Sequence, residues 1–153
     1  CIEKPSIIHP DDHPRGEPVY AGGPKIRGRA VEPLVKDLPT RPWEELTECK
    51  IEDLKNPGRV HIDPFGNVHV CQGLSMGNYL EISLAEVLNT YDPDSHPVCG
   101  PLLKGGPAAL AKKYNVPHAE RYVDECHFCS DLCKSLVEIF PQYLTPRRVY
   151  GLE

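Results

Sequence analysis

Apolar and polar residues alternate most cleanly between Arg59 and Cys71, where Val60, Ile62, Val68 and Val70 interleave with His61, Asp63 and His69. A period of two is that of a half-buried strand. Pro64-Phe65-Gly66-Asn67 interrupts it, so the segment predicts an antiparallel hairpin with strands Arg59–Asp63 and Val68–Cys71. Beyond it, Gln72-Gly73-Leu74-Ser75-Met76-Gly77-Asn78 reads as a loop, whose two glycines let backbone amides come close to a sulfur or inorganic sulfide. Helical spacing follows. Ser83 and Glu86 stand as in a capping box, and Leu84, Val87 and Leu88 form an apolar stripe, predicting a short helix to about Asn89. Tyr91 to Gly106, with Pro93, Pro97, Pro101 and paired glycines, reads as loop with Cys99 in its middle. Pro107 opens a second helix through Ala108, Leu110, Ala111 and Tyr114. A third takes Ser130 as N-cap and carries Leu132, Cys133, Leu136, Val137 and Phe140 up to Pro141. Cys129 then precedes that helix and Cys133 lies in its first turn, where free amides and the dipole favour a thiolate or an anionic cluster. One small β-hairpin, short helices and long loops make an α+β fold.

Composition sharpens this picture. The chain has 17 prolines, close to twice the usual share, and 40% apolar residues. Eight of the prolines fall within the first 42 residues, which should be extended or looped except for one turn at Gly28-Arg29-Ala30-Val31 limited by Pro33. Residues 1–42 are read as a proline-rich connector from an upstream domain, an expectation that also follows from a start at Cys1 rather than Met. Residues 43–153 are the folded unit, and the length suits one domain. The net charge of -5 is spread over interspersed acids and bases, so no nucleic-acid partner is expected. No window reaches the roughly 18 apolar residues of a membrane span, and no basic region followed by an apolar one opens the chain, so no membrane partner is expected either.

Candidate chemistry lies in the seven cysteines. Cys126-His127-Phe128-Cys129-Ser130-Asp131-Leu132-Cys133 places three of them together. A pair two residues apart turns toward one ion or cluster without strain, and the third sits one helical turn on. Their odd number, uneven spacing and lack of a secretory leader favour thiolate ligation in a reducing, cytoplasmic setting over a disulfide framework. Cys71 at the hairpin end and Cys49 upstream complete the ligand candidates: Cys49, Cys71, Cys126, Cys129 and Cys133. Cys99 is open between ligand and free thiol, and Cys1 is incidental. His61 and His69 read as surface or satisfied strand residues, His127 as a shield over the site and Asp63 as turn chemistry, while Arg27-Gly28-Arg29 and Arg147-Arg148 could contact an anion but read first as solvated surface. Four thiolates suit a 4Fe-4S cluster or a tetrahedral zinc alike.

The order Cys49, sixteen residues, Gly66, four residues, Cys71, and far downstream Cys126-x2-Cys129-x3-Cys133 resembles the C-terminal auxiliary-cluster domain of radical S-adenosylmethionine enzymes, the SPASM domain or its shorter relative the twitch domain. His61-Ile62-Asp63-Pro64-Phe65-Gly66-Asn67-Val68-His69-Val70-Cys71 and Met76-Gly77-Asn78-Tyr79-Leu80 carry the likeness, which covers roughly Cys49 to Tyr143. A full SPASM domain has a further cysteine about five residues after the pair and another beyond the last, both lacking here. The resemblance therefore implies one auxiliary 4Fe-4S cluster on Cys49, Cys71 and two of Cys126, Cys129 and Cys133. It also implies an upstream partial barrel that cleaves S-adenosylmethionine to a radical. No Cys-x3-Cys-x2-Cys motif occurs in this chain, so S-adenosylmethionine and the catalytic step belong upstream. The auxiliary cluster would pass an electron to or from a substrate radical, or position the substrate, a peptide or small molecule. A zinc-stapled protein-interaction module is the alternative on the same thiols. A dithiol oxidoreductase using Cys126 and Cys129 ranks last for want of a βαβ setting.

Overall fold

The computed structural model describes residues 26–36, 38–49 and 51–152. Most of the expected connector, residues 1–25 with Cys1, lies outside the described residues. At its end a 3-10 turn, Gly28–Ala30, runs into α1, Val31–Leu34. The turn expected over Gly28–Val31 forms but runs on through Pro33, which sits in the first turn of α1 where the missing N–H costs nothing. Packing reaches upstream of Trp43, because Ile26 and Arg27 are buried. β1, Arg41–Pro42, follows.

The hairpin forms where alternation predicts it. β2, His61–Ile62, and β3, Asn67–Cys71, pair antiparallel through His61↔His69 and Ile62↔Val68. The Asp63 carboxylate closes the turn by accepting from the Phe65 and Asn67 amides at 2.8 and 3.0 Å, the local chemistry expected of aspartate there. The expected loop at Gln72–Asn78 is corrected: Leu74–Asn78 is β4, antiparallel to β3 across the Gln72-Gly73 turn. Its own β propensity is weak. Pairing comes from context, since Leu74 and Ser75 are buried and the Ser75 amide donates to the Tyr143 carbonyl at 2.8 Å.

α2, Leu84–Thr90, begins as the capping box predicts, with the Ser83 hydroxyl accepting from the Glu86 amide at 3.2 Å. Only Val87 of its stripe is buried, while Leu84 and Leu88 are exposed. The loop expected through Gly106 ends earlier, because α3, Cys99–Tyr114, starts at Cys99 and breaks at Gly105-Gly106. Pro101 falls in the first turn, where it is tolerated. The cap is an imidazole that no sequence rule anticipates: His96 Nδ1 accepts from the Val98 and Cys99 amides, both at 3.1 Å.

β5, Arg121–Tyr122, pairs antiparallel with β1 and leads into α4, Glu125–Leu136. The start expected after Ser130 is corrected, since the Asp124 carboxylate accepts from the His127 amide at 2.7 Å and caps the helix one and a half turns earlier. A 3-10 turn, Arg147–Tyr150, closes the chain over the sheet, its Tyr150 hydroxyl donating to the Gly73 carbonyl at 2.8 Å. Helices and strands thus form the α+β fold expected, around a core in which Cys71, Cys99 and Cys133 are buried with Leu46, Val70 and Phe128. No helix of the described residues is long and apolar enough to cross a membrane.

The buried ring of His96 also ties α3 to the sheet through Nε2 and the Ser75 carbonyl, 3.1 Å apart. His96→Ala should cost about 2–3 kcal/mol in urea denaturation, from two uncapped amides and a small void. Burial pushes the His96 imidazole below its ordinary value. Above about pH 6.5 the ring is neutral in folded and unfolded chains alike. As pH falls below that value the unfolded chain takes up the proton first, so stability declines toward the folded value. The variant should therefore lose less stability than wild type between about pH 7 and pH 5.

Candidate metal centre

Four separate segments converge beneath the sheet. Cys49 follows the turn Trp43–Glu45 and the fully buried Leu46, whose carbonyl accepts from the Ala108 amide at 3.1 Å. Cys71 ends β3. Cys126 and Cys129 sit three residues apart on α4 with Cys133 four further on, so one helix face carries all three. Arg27 enters from the upstream segment. Aromatic packing sets the rotation of α4: Phe128 stacks on Tyr122 at 4.4 Å between ring centroids, and the Tyr122 hydroxyl donates to Asp131 at 2.6 Å.

Cys49, Cys71, Cys126 and Cys129 line one cavity of about 50 Å³ together with Arg27. Cys133 stands behind Cys129, the two sulfurs 3.8 Å apart, and is fully buried. Cys99 is also fully buried but does not line the cavity. The helix-start geometry anticipated for Cys129 and Cys133 is corrected: Cys126 occupies the first turn of α4, Cys129 the second and Cys133 the third. A second, wider cleft of about 430 Å³ shares Cys49 and Leu102 with the cavity, so Cys49 marks its edge toward solvent.

Arg27 is a residue for which the sequence allows an anion contact but favours solvated surface. It was expected at the surface, yet its side chain is buried and Nη1 donates to Cys71 Sγ at 2.8 Å. Its Nε and Nη2 are buried without an acceptor among the described residues. Three carboxylates lie on the cavity wall, Glu48, Asp124 and Glu125, and none pairs with Arg27 among the described residues; Asp124 caps α4, and Glu125 pairs with Arg41 at 3.0 Å. No signal in the sequence distinguishes Arg27 from Arg29, since what buries it is tertiary. The Gly28 amide donates to Ser130 Oγ on α4 at 3.1 Å.

The electrostatics of the cavity are in conflict. Burial pushes the Cys49 thiol up to about 11 and the Cys126 and Cys99 thiols up to about 12. Cys129 is driven well above its ordinary value, first by its hydrogen bond with Cys133 and then by burial. Such thiols are neutral at pH 7. The guanidinium of Arg27, opposed by burial but favoured by Cys71 and Cys129, stays charged well above its usual range. A bound metal would favour the thiolate forms that burial opposes, and a thiolate-rich group would be a suitable counter-charge for Arg27.

The residues therefore fit a metal–sulfur group in donor chemistry and in charge. Among the described residues no three Cys, His, Asp or Glu side chains already stand close enough to hold a single ion. His61 and His69 pair across the strands, His69 buried with Asp63 Oδ2 3.2 Å from its Nε2, and His127, expected to shield the site, is not on the cavity wall. His127, packed edge-on to Tyr122, holds Nδ1 3.3 Å from the Val123 amide.

The break in α3 seats the Cys49 segment. Gly106 has φ +59 and lies against the Thr47–Glu48 backbone where a Cβ would collide. Gly106→Ala should cost about 2–4 kcal/mol in urea denaturation, combining a left-handed backbone with overpacking. It should also raise the alkylation rate of Cys49, read by mass spectrometry, as its segment lifts from α3. No family model matches the chain, and neither a curated protein nor a solved structure matches it.

Proposed function

We propose that this chain is the auxiliary 4Fe-4S domain of a radical S-adenosylmethionine enzyme, working in the cytoplasm beside an upstream barrel that binds S-adenosylmethionine. The observation that carries the reading is the convergence of Cys49, Cys71, Cys126 and Cys129, distant in sequence, on one cavity. Those four would hold the cluster. Cys133 would support Cys129 by hydrogen bonding, the kind of neighbour that tunes metal–sulfur centres. When bound, the cluster supplies one-electron transfer to or from a substrate, peptide or small molecule, or a surface that orients it. Cys49, at the edge shared with the wider cleft, is where a substrate would approach.

Zinc on the same thiols, stapling a protein-interaction module, is the second reading. One tetrahedral ion with bonds of about 2.3 Å needs its sulfurs roughly 3.8 Å apart. Cys129 and Cys133 stand at that separation, but no third group joins them among the described residues. Sulfurs spread around a void favour a larger inorganic core.

Anaerobic incubation with ferrous iron and sulfide should turn the protein brown, with broad absorbance near ~400 nm. Cys49→Ala, Cys71→Ala, Cys126→Ala and Cys129→Ala should lose most of the bound iron and sulfide, and Cys99→Ala should keep it. Colourless protein that takes up zinc instead would decide for the interaction module.

A further inference from the structure

Arg27 reaches the cavity with more hydrogen-bonding capacity than the protein uses. A guanidinium carries five N–H groups in a rigid fork and has no acceptor function. Here Nη1 meets Cys71 Sγ at 2.8 Å, while Nε and Nη2 have neither solvent nor, among the described residues, an acceptor. No carboxylate among the described residues pairs with it. Buried donors left without partners are rare in folded proteins, and beside a cavity they leave room for an acceptor that the cavity would hold.

The segment that carries Arg27 is built to hold it there. The Gly28 amide donates to Ser130, the residue after Cys129 on the same helix. Gly28 itself has φ +54 and lies so close to the Val149 carbonyl that no Cβ fits. The guanidinium is thus anchored between α4 and the C-terminal turn, the two elements that also frame the thiols. Its hydrogen bond among the described residues is to sulfur. A fork with several donors suits a group with several acceptor sulfurs, as a cluster with inorganic sulfide has.

We propose that Arg27 is the anion-recognising residue of this centre. It donates to Cys71 and, through its remaining N–H groups, to sulfur of the bound cluster, offsetting part of the cluster's negative charge. This rests on the metal–sulfur reading above. Arg27 acts as a positioning residue: it orients Cys71 and makes the reduced, more negative state easier to reach, so it raises the reduction potential.

The test uses the full chain, anaerobically loaded with iron and sulfide, as wild type, Arg27→Met and Arg27→Gln. Iron and sulfide per chain, the visible spectrum and the midpoint potential are read for each. Both neutral variants should load less cluster, or load it with the midpoint moved to more negative potential. Equal loading at an unchanged midpoint overturns the inference while leaving the cluster reading intact. A measurement on wild type alone covers variants that fail to fold: loading should slow tryptic cleavage after Arg27 several-fold, followed by mass spectrometry. Cleavage at the same rate with and without the cluster overturns the inference. Wild type that takes zinc but no iron and sulfide overturns both the cluster reading and the sulfide contact proposed for Arg27.

Discussion

A buried guanidinium against a cysteine sulfur is the contact on which the rest of this structure depends. Arg27 and Cys71 lie 44 residues apart, and their meeting at 2.8 Å requires the upstream segment, the end of β3 and the face of α4 to share one place. Charge has to balance there. Buried thiols resist ionisation, and a buried arginine requires negative charge. Among the described residues no carboxylate pairs with Arg27: Asp124 caps α4 and Glu125 pairs with Arg41.

Much of the architecture serves to hold that unbalanced centre still. The Asp124 cap and the Phe128–Tyr122 stack fix where α4 begins and how it is turned, so Cys126, Cys129 and Cys133 share a face. Tyr150 pins the β3–β4 turn beside Cys71 through the Gly73 carbonyl. The Gly105-Gly106 break lets α3 lie against Thr47–Glu48 and brings Cys49 in. Each thiol is placed by an interaction of a different kind: strand pairing, a helix cap, an aromatic stack, a glycine approach. Preorganisation of this sort lowers the cost of assembling ligands around a metal.

What could be read from the sequence follows how local each signal was. The β2–β3 hairpin and the Ser83 cap were legible, because alternation and a hydroxyl three residues from a glutamate act within a few residues. β4 was not, since glycine, serine and asparagine give it little propensity and its pairing depends on Tyr143 far downstream. The first half of α3 was hidden by prolines and by a histidine cap, and the start of α4 was misplaced because Ser130 resembled a cap while Asp124 served as one. The thiols could be listed from spacing. Which of them face one cavity, and that an arginine joins them, depended on packing between distant segments, as with Ser130 receiving the Gly28 amide rather than capping its own helix.

The position of Arg27 in the chain has a consequence for coupling. Arg27 and Gly28 lie at the start of the described residues and pack against β3 and α4, where Cys71, Cys126 and Cys129 stand. If the bound centre provides the acceptors that Nε and Nη2 lack, occupancy and the seating of the upstream segment stabilise each other, as linkage requires of any two events that share a contact. A centre tying Cys49 to Cys71 and Cys126 also closes long stretches of chain, and such closure restricts the unfolded state most when the joined residues are far apart. Folding, loading and attachment to the upstream segment then become parts of one equilibrium.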